Sequence, residues 1–271
     1  TLPPVTESRI MLIRSPAVAG TLYDADSQRL LAQIESWLAD AGSQPLPRPA
    51  KGLIVPHSGY PFSGATAAGA YRLLEPIYDT IKRVVILGTC HRDPTQGLWT
   101  PRCAAFRTPL GDVAVDQPAC RALLEHPEVN ELAVRQDMEH SIEVQLPFLQ
   151  TVLEDFSLIP LLVGDCSTPV LAEILSSLWG GPETLLVIST GLSRNRPYRE
   201  VIAQDQHSAR RIRAFDSGFV SQEACGFNAL NGFLQVAKAQ GLASRQVALT
   251  TSADLNGQKE QVRGFGAFVF Y

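Results

Sequence analysis

Four short runs of almost unbroken apolar residues constrain this chain more than any other feature. They are KGLIVP from Lys51, RVVILG from Arg83, SLIPLLV from Ser157 and TLLVIS from Thr184. A strand with one wet face alternates apolar and polar residues. A run that is apolar at every position must be covered on both sides, as strands inside a parallel sheet are. Segments of helical spacing lie between these runs. In DSQRLLAQIESWLADAG, Leu30, Leu31, Ile34, Trp37 and Leu38 share one helical face, with Asp26 or Ser27 as N-cap and Gly42 just beyond the end. GATAAGAYRLL supplies a small-residue helix between the first two strands, and strand, helix, strand implies a parallel crossover unit.

The middle of the chain is less regular. GLWTPRCAAF and GDVAVD read as shorter strands joined through RTPLG, an antiparallel addition at one side, followed by a helix from about Asp116 with Pro118 in its first turn. Alternation then resumes through a helix spanning MEHSIEVQLPFLQTVL, a helix after CSTP, helices around QHSARRIRAF and FNALNGFLQVAKAQ, and the strands QVALTT and GAFVF. No repeat, low-complexity tract or linker interrupts this order. The pattern predicts a single three-layer α/β/α domain on a mixed, largely parallel sheet over residues 14–271, preceded by a loosely held arm at residues 1–13.

Composition narrows the function. With 271 residues, 45% of them hydrophobic, the chain can bury a large core. A net charge of -4 without any Lys/Arg run argues against nucleic acid and acidic membrane surfaces as partners. No apolar stretch approaches the ~20 residues that span a bilayer. Cys90, Cys103, Cys120, Cys166 and Cys225 are odd in number and scattered, which reads as reduced thiols and a cytoplasmic protein.

Catalytic and binding groups of open α/β sheets gather beyond the carboxyl ends of the strands. Here LIVP delivers His57, VVILG delivers Cys90, His91 and Asp93, and LLVIS delivers TGLSRNRPY. A lone histidine at a strand end more often packs or caps a loop. Two leaving neighbouring strand ends point to a shared metal, for which neutral imidazole is a good ligand. Cys225 precedes an apolar-periodic run and so stands at a helix N-terminus, where free N–H groups favour a thiolate; its structural alternative is a small buried core residue. EHSIEV places Glu139, His140 and Glu143 in one helix, but a zincin needs two histidines on one face and there is one. Glu139 and His140 therefore read as supports behind the ligands or a buried polar network, and Glu143 as solvated.

In order and approximate spacing, VPHSGYPFSG, ILGTCH, EHSIEVQLPFLQ, STGLSRNRPY, ACGFNAL and TTSADLNGQKEQVRGFGAF resemble the Memo family from about Arg14 to the C-terminus. That family includes the proteins called AmmeMemoRadiSam system protein B. The resemblance implies a fold similar to the LigB-like class III extradiol dioxygenases and a metal associated with two histidines and a cysteine, here His57, His91 and Cys225. The family motif after the later strand reads Ser-Ser-Asp-hydrophobic-x-His, with its Asp and His lining the pocket. This chain has Ser189, Thr190, Gly191, Leu192, Ser193 and Arg194 instead. Gly191 supplies no ligand, and Arg194 cannot act as a base. Extradiol dioxygenation, which uses iron held by two histidines and a carboxylate, is thereby disfavoured.

Two readings remain open. In the first, His57, His91 and Cys225 hold a single Fe, Cu or Zn ion, supported by Glu139 and His140, with Asp93 nearby to offset the charge of Arg194. In the second, the pocket holds no metal and binds a small anionic ligand or peptide through Arg194, with Tyr60 at its rim.

Overall fold

The computed structural model describes residues 12–42, 44–91, 96–132 and 139–271. In chain order the first half comprises β1 (Ile13–Arg14), α1 (Ser27–Asp40), β2 (Gly52–Val55), α2 (Tyr60–Tyr71), β3 (Arg83–Thr89), β4 (Leu98–Pro101), β5 (Ala105–Thr108), β6 (Gly111–Ala114), α3 (Gln117–Leu123) and β7 (Val129–Leu132). The second half comprises α4 (Leu146–Val152), β8 (Ser157–Val163), α5 (Thr168–Ser177), β9 (Thr184–Ser189), α6 (Tyr198–Arg213), α7 (Phe227–Ala239), β10 (Ser244–Thr251), α8 (Ala253–Asn256) and β11 (Gly264–Phe270). Most of the expected arm lies outside the described residues. Its last residue, Ile13, is in β1, which pairs with β5.

The eight-stranded sheet runs β10-β11-β2-β9-β3-β8-β4-β7. Its centre, β2, β9, β3 and β8, is parallel, and these are the four apolar runs. They are buried at almost every position because helices cover both faces. One layer holds α1, α2 and α4, and the other holds α5, α6 and α7. The edges are mixed: β11 pairs antiparallel with β2 and β10, and β4 pairs antiparallel with β8. The expected antiparallel addition is divided: GLWTPRCAAF splits into β4, which joins the main sheet, and the start of β5, which pairs antiparallel with β6 and parallel with β1 in a second, three-stranded sheet. The class is thus three-layer α/β/α.

In α1 the Asp26 carboxylate caps the helix by accepting from the Arg29 N–H at 2.9 Å. Leu30, Ile34 and Leu38 are buried there, while Leu31 at the stripe's edge stays 37% exposed. The strand order also departs from expectation in one respect that matters for the site. The strands carrying His57 and His91 are not adjacent, because β9 is inserted between them. Two strand spacings of about 4.8 Å would separate the two backbones by nearly 10 Å. Only side chains reaching inward over the end of β9 can meet.

The helix expected over MEHSIEVQLPFLQTVL is shorter than its pattern. Residues 139–142 are irregular, Glu143–Gln145 form a single 3-10 turn, and α4 begins at Leu146 with Pro147 in its first turn. The cause is Glu139, whose carboxylate accepts the backbone N–H groups of His140 and Ser141 at 2.8 and 2.9 Å. A side chain that takes those donors offers the backbone an alternative to helix.

Candidate metal centre

His57 leaves the end of β2 after Pro56, is buried, and has its ring orientation set by a chain of polar groups. The Ser189 hydroxyl donates to the Ser141 carbonyl at 2.5 Å, so its oxygen is left to accept from the Nδ1–H of His57 at 3.2 Å. Gln145 Nε2 also donates to Ser189 at 2.8 Å and to the Pro56 carbonyl at 3.0 Å, and Tyr71 donates to Gln145 Oε1 at 2.9 Å. This network turns His57 Nε2 toward Cys225 Sγ, 3.3 Å away.

His91 leaves the end of β3 and is held through Glu139. One Glu139 oxygen accepts from the His91 backbone N–H, and the other lies 2.9 Å from His91 Nδ1, both groups being donors to the carboxylate. His140 Nδ1 lies 3.3 Å from that second oxygen. With Nδ1 of His57 and His91 engaged from behind, the three rings converge. The His57 and His91 centroids are 4.9 Å apart, His91 and His140 are 4.9 Å apart and stacked, and His57 and His140 are 5.6 Å apart. One nitrogen from each of His57, His91 and His140 can be chosen so that all three lie within 4.8 Å of one another.

Cys225 reaches the same place from the turn before α7. Its Sγ accepts from the Gly191 N–H at 3.2 Å, and the Gly226 N–H at the head of α7 donates to Thr190 Oγ1 at 2.9 Å. Gly226 is required there: a Cβ would lie 2.8 Å from Thr89 Oγ1 and 2.9 Å from Thr190. At Gly191 a Cβ would meet Cys225 Sγ at an ordinary 3.6 Å, so the bare backbone leaves this side of the pocket open.

The charges are strongly coupled. Burial opposes ionisation of Cys225, but His57 and His91 together outweigh it and hold the thiol well below its ordinary pKa. Burial likewise opposes charge on His91, yet hydrogen bonds to Cys225 and Glu139 raise it to about 9. Against its own burial, Glu139 is lowered to about 2 by the His91 hydrogen bond. Burial lowers His140 to about 4. A thiolate beside imidazoles whose outer nitrogens are engaged is a donor set for Zn, Cu or Fe. Tetrahedral nitrogen and sulfur ligands stand roughly 3.3–3.6 Å apart, and the separation of His57 Nε2 and Cys225 Sγ fits that edge.

The cavity over this cluster has a volume of 410 Å³ and is also lined by Gly191, Arg194, Arg263 and Phe265. Tyr60, expected at the rim, instead lies in the core: its hydroxyl donates to the Val144 carbonyl at 2.7 Å and its ring packs on Tyr23, Trp37 and Phe148. Asp93 lies outside the described residues. Glu143, read as solvated, is fully buried and ion-paired with Arg14 at 2.6 Å. Sequence reasoning missed Ser189 and Gln145, although Gln145 sits inside the EHSIEVQLPFLQ segment, and it missed Arg263 altogether. Cys120, Cys166 and Cys225 carry free thiols, and among the described residues no helix is long and apolar enough to cross a membrane.

Fold and pocket define a three-layer α/β protein with a histidine cluster, capable of holding a metal ion, beyond the carboxyl ends of its central strands. Residues 14–269 match the family model described as Memo-like protein. A MEMO1 family protein of Sulfolobus acidocaldarius is 34% identical over 94% of this chain and 98% of its own length. One from Methanopyrus kandleri is 32% identical over 95% and 98%. Protein MEMO1 of Danio rerio is 35% identical over 67% of this chain and 63% of its own. The chain belongs to the Memo family.

Proposed function

We propose that this protein binds one transition-metal ion in the pocket, with His57, His91 and Cys225 as ligands and His140 facing the same point. The observation that carries this reading is the convergence of three imidazoles, two of them with Nδ1 engaged from behind, His57 by Ser189 and His91 by Glu139. A thiolate with imidazoles suits zinc, copper or ferrous iron and is poorly matched to magnesium or calcium, which prefer oxygen. When bound, such an ion supplies Lewis acidity toward an oxygen of whatever occupies the cavity. The chain's own part is to orient the imidazoles through Ser189 and Glu139 and to hold Cys225 as a thiolate. Among the described residues the one carboxylate at the cluster, Glu139, is spent on His91 and backbone N–H groups, so the two-histidine, one-carboxylate iron site is not the better fit. The free thiols of Cys120, Cys166 and Cys225 suit a reducing compartment, in this reading the cytoplasm.

Metal analysis of protein purified without oxygen tests the proposal. We expect about one equivalent of zinc, copper or iron, lost in His57→Ala. The cobalt-substituted protein is expected to show a thiolate-to-metal absorption band that Cys225→Ser removes. Less than about one-tenth of an equivalent, unchanged in His57→Ala and not raised by reconstitution, would sink the reading.

A further inference from the structure

Two guanidinium groups at the cavity wall have no part in holding the metal. Arg194 follows β9 and Arg263 precedes β11, and both line the cavity that contains His57, His91 and His140. Backbone pairing brings them together. The Leu192 N–H donates to the Gly264 carbonyl at 3.1 Å, the Gly264 N–H to the Ser193 carbonyl at 2.8 Å, and the Val262 N–H to the Arg196 carbonyl at 2.9 Å. Arg194 and Arg263 lie between these rungs on facing segments of a short antiparallel ladder.

Each segment is also tied from outside. The Ser193 N–H donates to buried Asp205 at 3.0 Å, while the Arg263 N–H donates to Ser252 Oγ at 3.0 Å and its carbonyl accepts from the Ser252 N–H at 2.9 Å. Asn195 completes the turn with a φ of 55°, a left-handed conformation that asparagine tolerates. The backbones carrying both arginines are therefore set, although the side chains themselves are exposed.

Neither guanidinium forms an ion pair among the described residues, and no described lining residue is Asp or Glu. The chain as a whole carries a net charge of -4, so the two permanent positive charges here run against the overall balance. Beside a cation they would repel it unless an anion lay between. Leu22, Leu192 and Phe265 add apolar wall, and a volume of 410 Å³ suits a small molecule.

We propose that the cavity binds a small organic acid, its carboxylate or phosphate head held by the forks of Arg194 and Arg263 and its carbon body directed along the apolar wall toward the imidazole cluster. Guanidinium groups match either oxyanion with paired hydrogen bonds. This rests on the metal reading only for where the far end of the ligand goes.

The test is calorimetric titration of zinc-treated wild-type and His57→Ala protein with benzoate, phenyl phosphate, inorganic phosphate and the neutral control benzyl alcohol. At least one anion is expected to bind one to one, with benzyl alcohol silent; benzoate against phenyl phosphate separates the two head groups. Arg194→Ala and Arg263→Ala should each weaken that binding by about tenfold or more with unchanged unfolding temperature, since both side chains are exposed. Binding should persist in His57→Ala. Anions that bind no better than benzyl alcohol, or equally well in the double arginine variant, would overturn the proposal. So would loss in His57→Ala alone, which would assign the anion to the metal. Zinc binding without anion binding leaves the metal reading standing and removes this one; anion binding lost with the arginines but without zinc binding does the reverse.

Discussion

Glu143 is the residue whose role is most remote from its local pattern. Its carboxylate accepts from Arg14 at 2.6 Å, from the Tyr23 hydroxyl at 2.6 Å, and from the Ala17 and Val18 N–H groups at 2.8 and 3.0 Å. Arg14, equally buried, also donates to the Glu139 carbonyl at 2.6 Å and stacks over Phe106. Removing one partner strands a buried charge and its orphaned donors. Glu143→Ala should therefore cost about 3–5 kcal/mol in urea unfolding, whereas a solvated glutamate would cost almost nothing. Because Arg14 also grips the segment holding Glu139, the variant should bind metal more weakly; an effect below about 1 kcal/mol would show that the pair is not structural. Sequence spacing could not find this pair, since its members are separated by 129 positions.

At the scale of elements, legibility followed periodicity. The apolar runs became the four central strands, and α1 buried Leu30, Ile34 and Leu38 from an unambiguous 3.6-residue pattern. Cys225 was readable as preceding a helix, because FNALNGFLQVAKA carries its own signal. The segment containing Glu139 and His140 was not, because Glu139 bonds the backbone of distant His91 as well as its own neighbours, and tertiary bonding overrides propensity. What seats α7 against the end of β9 is Gly226. Gly226→Ala should push the helix start away from Thr89 and Thr190 and displace Cys225. We expect a loss of about 1–3 kcal/mol of stability from overpacking, and a larger fractional loss of metal affinity than Ala introduced elsewhere in α7. Paired denaturation and metal-titration curves check this, and unchanged affinity would mean that the turn does not position the thiol.

At the scale of the whole molecule, Asp205 is a pH-dependent feature outside the histidine cluster. Asp205 of α6 is buried against the loop before Arg194; one oxygen accepts from Ser193 and the other has no partner among the described residues. Burial raises its pKa from 3.8 to about 6, only partly offset by the bonding to Ser193. The folded state thus retains a proton that the unfolded chain releases. This contribution to stability is full below pH 3.8 and is lost as pH rises through about 6. Asp205→Asn should gain on the wild type by about 2 kcal/mol between pH 4 and pH 8 in urea unfolding. An identical difference between the two proteins at both pH values would exclude the effect.

By itself the sequence determined the α/β class, the strands that would be buried on both faces, and the segments bearing His57, His91 and Cys225, because hydrophobic period and strand-end position are local properties. It also carries Gly191 and Arg194 where the resemblance to the Memo family implies an aspartate and a histidine. Only the tertiary structure decided that β9 separates the two strand-end histidines, that Ser189 and Glu139 orient the rings, that His140 joins them, and that Arg263 stands beside Arg194. Those are relations between segments far apart in the chain. They depend on strand order and on buried hydrogen bonds that must each find a partner, and no local pattern encodes either.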